Sequence, residues 1–345
     1  GSIAGVISGT GSLLKMGAGQ TKLTAFDGTT YGTNTFSGGT TISQGTLLLG
    51  NGGGNYNKTA GTGGITLGDA NTGSSNLGLW IEKGKDASQD SGKLSRAITV
   101  TNNGTGTATI GGATGTGAGW TAINGSITLN RDVIFNDSTG DRLSIDGKIT
   151  GTGNITLTGY RLTMVSAVQN DFVGDFTVSA GSILQSDTNA NRAFSTSNNL
   201  IVNGDWRLYG ANPAINSLTG SGTVTTYSGA PLFSIGNNNG GGVFSGVMSG
   251  AMSLIKNGTG TQILSGANSY TGTTTINGGT LQIGNGGTSG ALGTGVITDN
   301  AALVFNRTDA ALVVGAKISG TGTVTQAGTG TTTLSADNDW SGTTT

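Results

Sequence analysis

The phrase NSYTGTTTINGGTLQIGNGG, residues 268–287, also occurs at residues 34–53 as NTFSGGTTISQGTLLLGNGG, without a gap and identical at 12 of 20 positions. The copies differ mostly by Phe for Tyr, Ser for Thr, and Leu for Ile or Gln. A phrase that repeats with interchangeable apolar positions is a packing unit that stacks on copies of itself. It holds no carboxylate, base or histidine, so its role is architectural before it is chemical.

The phrase is half of a longer unit. MSGAMSLIKNGTGTQILSGA, 248–267, precedes it, and relatives begin at Ile7 (ISGTGSLLKMGAGQTKLTA) and Ile318 (ISGTGTVTQAGTGTTTLSA). Gly250 stands as far before Tyr270 as Gly320 does before Trp340. Gly9 and Phe36 are further apart, which places a seven-residue insertion in AFDGTTYGT. A degenerate copy runs from Ile149 to Phe172 and on to Leu184, and LTGSGTVTT begins at Leu218.

Within the phrase, Leu281 and Ile283 point to one face and Gln282 to the other; Leu47, Leu48 and Leu49 fill the same places in the first copy. This alternation predicts a strand. Glycines before Thr46 and Thr280, and Gly-Asn-Gly-Gly after the strand, predict positive-φ turns. No window offers the apolar spacing of a helix. Short strands, glycine turns and a repeat of roughly 20 residues predict an all-β right-handed parallel β-helix over residues 1–345, with roughly 15 to 17 rungs. Aliphatic side chains should fill it, with Thr, Ser and Asn stacked in ladders outside. Phe36, Phe172, Tyr270 and Trp340 are expected to cover corners of the coil.

Composition excludes several functions. Only 10% of residues are charged and the net charge is −1, so nothing steers or neutralises a nucleic acid. Without Cys or His there is no disulfide, no Ser-His-Asp or Cys-His mechanism and no common zinc site. No apolar run suits a membrane-spanning helix, so this segment is not expected to insert in a membrane. Gly1-Ser2 has the look of a cloning remnant. The chain also stops at WSGTTT where the aligned copy continues, so a piece of a longer rod is expected.

Two local departures stand out. NRDVIFNDSTGDRLSIDGK holds Asp132, Asp137, Asp141 and Asp146 beside Arg131, Arg142 and Lys148. Converging acids would suit a saccharide-cleaving or cation-binding patch. Turn capping, as at Asn136-Asp137-Ser138 and Asp146-Gly147, explains them more simply. EKGKDASQDSGK, 82–93, carries six charges and interrupts the repeat as a loop insertion. Such a loop projects into solvent, and Trp80 beside it either anchors the loop or offers an aromatic face. Trp80, Glu82, Lys83, Lys85, Asp86 and Asp90 are therefore the candidate binding residues. No catalytic, cofactor or metal site is expected. GLWIEKGKD, 78–86, fails as a phosphate-binding loop because its spacing is one residue too long and Asp86 stands where Ser or Thr is needed.

The pattern from Leu254 to Gly284, L-x-K-x-G-x-G-T-x-x-L-S-G-x-N-x-Y-x-G-x-T-x-I-x-x-G-T-L-x-x-G, resembles the autotransporter-associated β-strand repeat of type V secreted passenger domains of Gram-negative bacteria. The resemblance implies a surface-exposed parallel β-helix exported across the outer membrane through a C-terminal barrel that is not in this sequence. It also implies an adhesin or self-associating protein whose partners are a host surface protein, matrix or glycan, or another copy of itself. A β-helical glycan-active enzyme and a passive stalk are the alternatives.

Overall fold

A computed structural model describes residues 1–25, 32–50, 59–83, 93–113, 120–138, 140–165, 168–187, 193–309 and 312–345. The described residues form strands and turns with no helix, and the strands stack in parallel as a β-solenoid of about 13 turns. The chain divides into two compact units, Gly1–Gly174 and Asp175–Thr345.

The first unit wraps three parallel sheets. One stacks Leu13–Lys15, Thr40–Ile42, Ile65–Leu67, Ile98–Val100, Ile127–Leu129 and Ile149–Gly151. A second stacks Gln20–Leu23, Gly45–Leu49, Leu77–Glu82, Ala108–Ala113, Val133–Asp137 and Ile155–Gly159. A third holds Lys93–Leu94, Thr121–Ile123, Leu143–Ile145 and Arg161–Met164. Parallel registry puts like on like. Ile65, Ile98, Ile127 and Ile149 form one inward column, each at most 1% exposed. Each such burial stabilises by ~1.5–3 kcal/mol. Between these inward positions, Thr41, Thr66, Thr99, Thr128 and Thr150 form an outward ladder, the arrangement the alternation predicts.

The second unit repeats this plan. Its core carries an edge-to-face aromatic chain: Phe176 to Phe194 at 5.3 Å, Phe194 to Trp206 at 5.5 Å and Trp206 to Phe233 at 5.2 Å. The Trp206 indole N–H donates to Ser186 Oγ at 2.9 Å, so the one polar atom of that side chain is satisfied inside.

The number of turns is smaller than the repeat length predicts. In the second unit Leu254 pairs with Thr274, the interval of one repeat. In the first unit, however, Leu49 pairs with Ile81 and Ile81 with Gly112, a wider interval in both steps. With more residues between paired strands, fewer turns fit the same length.

Glycine has two separate uses here. Gly45, Gly279 and Gly284 take positive φ, as read from the phrase. The strand Thr280–Gly287 nevertheless continues through Gly-Asn-Gly-Gly with a register shift between Ile283 and Gly287, so those glycines form an irregularity in a strand rather than its end. Gly266 illustrates the second use: a Cβ there would lie 1.8 Å from the Gly246 carbonyl oxygen of the preceding turn. Only a bare backbone lets the turns approach so closely at that corner.

Two further repeat positions work from inside. Lys256 is fully buried, and its ammonium donates to the carbonyls of Asn257 (2.6 Å), Gly258 (3.1 Å) and Gly278 (3.0 Å). Lys15, at the same repeat position, donates to Met16 O, Gly17 O and Gln44 O. Gln326 takes the place in the last copy and reaches two carbonyls, of Gly328 and Gly330. Burial lowers the pKa of both lysines. Asn34, Asn170, Asn268 and Asn338, each two residues before an aromatic, accept the backbone N–H of Ile7, Ile149, Met248 and Ile318. Phe36, Phe172 and Tyr270 are 0–2% exposed, so these rings fill the coil at its corner rather than lie over it. Trp340 is half-buried.

Candidate functional site

The strand Leu77–Glu82 turns Leu77, Leu79 and Ile81 inward, which forces Trp80 and Glu82 onto the outer face of the second sheet. A Cβ at Gly111, Trp80's partner in the next turn, would meet indole Cζ3 at 2.6 Å, and one at Gly78 would meet Nε1 at 3.1 Å. The indole therefore packs against two glycines, where any side chain would collide with it, and stays half-buried. Glu82 accepts the Lys22 ammonium at 2.5 Å, with side-chain exposures of 13% and 38%. Lys22 stands two turns earlier and reaches past Gly50, where a Cβ would meet its Cε at 2.8 Å.

Of the six candidate binding residues, the structure thus places Trp80 and Glu82 on one face. Lys83 follows, its backbone N–H donating to Ala113 O. Lys85, Asp86 and Asp90 lie outside the described residues. Lys22 was missed because its partner is 60 residues away, a pairing set by the winding of the coil.

The acid-rich segment disperses. Asp132 accepts the Asn154 N–H at 2.9 Å, Asp141 pairs with Arg161 at 3.0 Å and Asp146 accepts Ser144 Oγ at 2.7 Å. Asp137 corrects the sequence reading: it is the last residue of the strand Val133–Asp137, turned inward and 1% exposed, rather than a turn cap. The bases are engaged as well. Arg142 stacks 3.8 Å over Trp120, Lys148 pairs with Asp171 at 2.7 Å, and Arg131 donates to Asn103 O and Gly104 O. Burial lowers the Arg131 pKa. Arg131 and Asp132 line a groove of about 540 Å³ with Thr105, Thr107, Ile134 and Thr156. Among the described residues no three Asp or Glu converge as a metal site would require. Glycoside hydrolysis ordinarily uses two carboxyls flanking one space. Here Asp137 and Asp141 both engage Arg161, through its backbone N–H and its guanidinium, while Asp132 and Asp146 bond to Asn154 and Ser144.

Comparison with known proteins agrees with the repeat geometry. Residues 13–49, 254–283 and 324–345 match the passenger-associated-transport-repeat. These segments contain the equivalent corners of Lys15, Lys256 and Gln326. Over 158 residues, 44% of this chain, the sequence is 32% identical to the Adhesin BmaC autotransporter of Brucella suis biovar 1 (strain 1330), and the aligned region covers 5% of that protein's length. No solved structure matches the chain. The chain is a parallel β-solenoid that carries passenger-associated transport repeats and is distantly homologous to an autotransporter adhesin.

Proposed function

We propose that this chain is part of an autotransporter passenger, exported across the outer membrane to the cell surface or beyond, and that it acts there as an adhesin or self-associating protein without enzymatic activity. The observation that carries the reading is the repeat itself. Its reactive-looking side chains are spent on holding turns together, while its outward positions form neutral ladders such as Thr41, Thr66, Thr99, Thr128 and Thr150. Such ladders offer many weak hydrogen bonds at once to a host surface protein, matrix, glycan or second copy, and affinity then grows with contact length. The similarity to an adhesin supports the same role. Trp80, Glu82 and Lys83, with Lys85, Asp86 and Asp90 of the charged segment, form its proposed binding edge.

The test is to coat beads with the whole chain and score clumping and retention on immobilised matrix proteins and glycans. Clumping or retention is expected, reduced by Trp80→Ala. Inert beads would overturn the adhesive reading. Polysaccharide cleavage abolished by Asp141→Asn would replace it with the enzymatic one.

A further inference from the structure

In the C-terminal unit the strand Asp205–Tyr209 points Asp205, Arg207 and Tyr209 outward and buries Trp206 and Leu208. It pairs with Thr223–Ser228 in register as far as Leu208 opposite Thr226. The register then shifts, and Tyr209 faces Ser228. Tyr227 is the extra residue of this β-bulge. A bulge re-aims the side chain it carries, and bulges are over-represented beside functional sites.

The displaced ring stacks on Tyr209, with centroids 5.1 Å apart and planes at 20°, and the Arg207 guanidinium stands 5.0 Å from its centroid. Both partners belong to the preceding turn, so they back Tyr227 from that side. In the following turn Ser249 pairs with Thr225, and the chain continues as Gly250 and Ala251, with no side chain there larger than a methyl group. Tyr227 accordingly remains 52% exposed.

The rim is polar and charge-compensated. Arg207 pairs with Asp205 at 3.3 Å, Asp205 accepts Thr223 Oγ1 at 2.6 Å, and the Thr225 and Ser249 hydroxyls are 3.1 Å apart. An aromatic face beside compensated charges and hydroxyls suits a ligand with an apolar face and a hydroxyl edge. A nucleotide would bring phosphates, whose charge Arg207, already paired with Asp205, is not free to neutralise.

We propose that Tyr227, backed by Tyr209 and rimmed by Arg207, Asp205, Thr225 and Ser249, binds neutral saccharides, the ring's C–H face on the phenol and its hydroxyls on the rim. The proposal names a glycan as one partner within the adhesive reading, at a site other than Trp80 and residues 82–93.

Calorimetric titration of the whole chain with hexamers of β-1,4-linked glucose, α-1,4-linked glucose and β-1,4-linked N-acetylglucosamine tests it. At least one hexamer should bind with little dependence on salt. Tyr227→Ala should weaken that binding by roughly tenfold, the loss of one stacked ring. Tyr227→Phe should retain it, and Val313→Ala, at a 62% exposed position on another sheet, should leave it unchanged. Unchanged melting of Tyr227→Ala excludes unfolding as the cause. Absence of binding to all three hexamers, binding indifferent to Tyr227→Ala, or binding only to a chondroitin sulfate hexamer and lost in salt would overturn the proposal. Self-association lost in Tyr227→Ala with saccharide binding intact would reassign the patch to contact between copies. Clumping beads with no saccharide binding would sink this inference and leave the adhesive reading standing.

Discussion

Replacing Lys256 by Met asks whether the buried ammonium holds two turns together or is merely tolerated. The substitution keeps the length of the stem, so it opens little cavity. It strands the carbonyls of Asn257, Gly258 and Gly278, which the ammonium binds at 2.6, 3.1 and 3.0 Å. An acceptor left without a donor costs ~1–3 kcal/mol, and since all three residues are half-buried the lower end applies, about 3 kcal/mol in total. Removing a desolvated charge offsets part of this, so the expected net loss is about 2 kcal/mol. Lys256→Gln copies the solution at Gln326, which reaches two carbonyls, and should lose only about 1 kcal/mol. Lys22→Met, which breaks a half-exposed pair with Glu82, should cost about 1 kcal/mol or less. Urea unfolding followed by far-ultraviolet circular dichroism gives the ranking. Neighbouring turns in a repeat protein are coupled but open locally, so hydrogen exchange at the amides of Leu254 and Asn277, which bond from turn to turn, supplies the local measure. A Met variant with unchanged or higher stability and protection would refute the reasoning.

Asn268→Ala should destabilise by about 2–4 kcal/mol, because its amide serves Met248 N–H, Gly266 O and Ala291 O in three different segments; urea unfolding checks this. Gly266→Ala should cost about 3 kcal/mol or more, since its Cβ would overlap the Gly246 carbonyl oxygen, whereas Gly287→Ala, with open space around it, should cost little; thermal melting separates them. Burial pushes the Tyr270 phenol up to about 12. The unfolded phenol ionises first, so this group's contribution is intact below about pH 10 and lost between there and pH 12, by about 2–3 kcal/mol. Lys256 has the opposite sign: its folded pKa is lowered, so its contribution rises with pH between the folded and the unfolded values. Comparing Tyr270→Phe and Lys256→Met with the parent by urea unfolding across alkaline pH should show the two slopes diverging. Sedimentation across concentration and ionic strength should show weak self-association with little salt dependence, given a net charge of −1; a strict monomer would leave adhesion to a foreign ligand.

The repeated phrase alone determined that the chain is a stack of short strands, because side-chain alternation and glycine turns are local properties: Leu281 and Ile283 inward and Gln282 outward follow from period two. The recurrence of Lys and Asn at fixed places was visible too, but their burial was not, since a lone lysine in a polar sequence reads as a solvated charge. Two carbonyls of its own corner and one from the neighbouring turn, Gly278 O, together make the interior ammonium tolerable. The number of turns depended on how many residues separate one paired strand from the next, which spacing within one good repeat does not reveal. The site features were decided later still. Glu82 meets Lys22, Trp80 lies on Gly111, and Tyr227 stacks on Tyr209, each pair drawn from different turns and well separated in sequence. Those separations are fixed by the winding and by one bulge, and parallel stacking brings such positions side by side regardless of their distance along the chain.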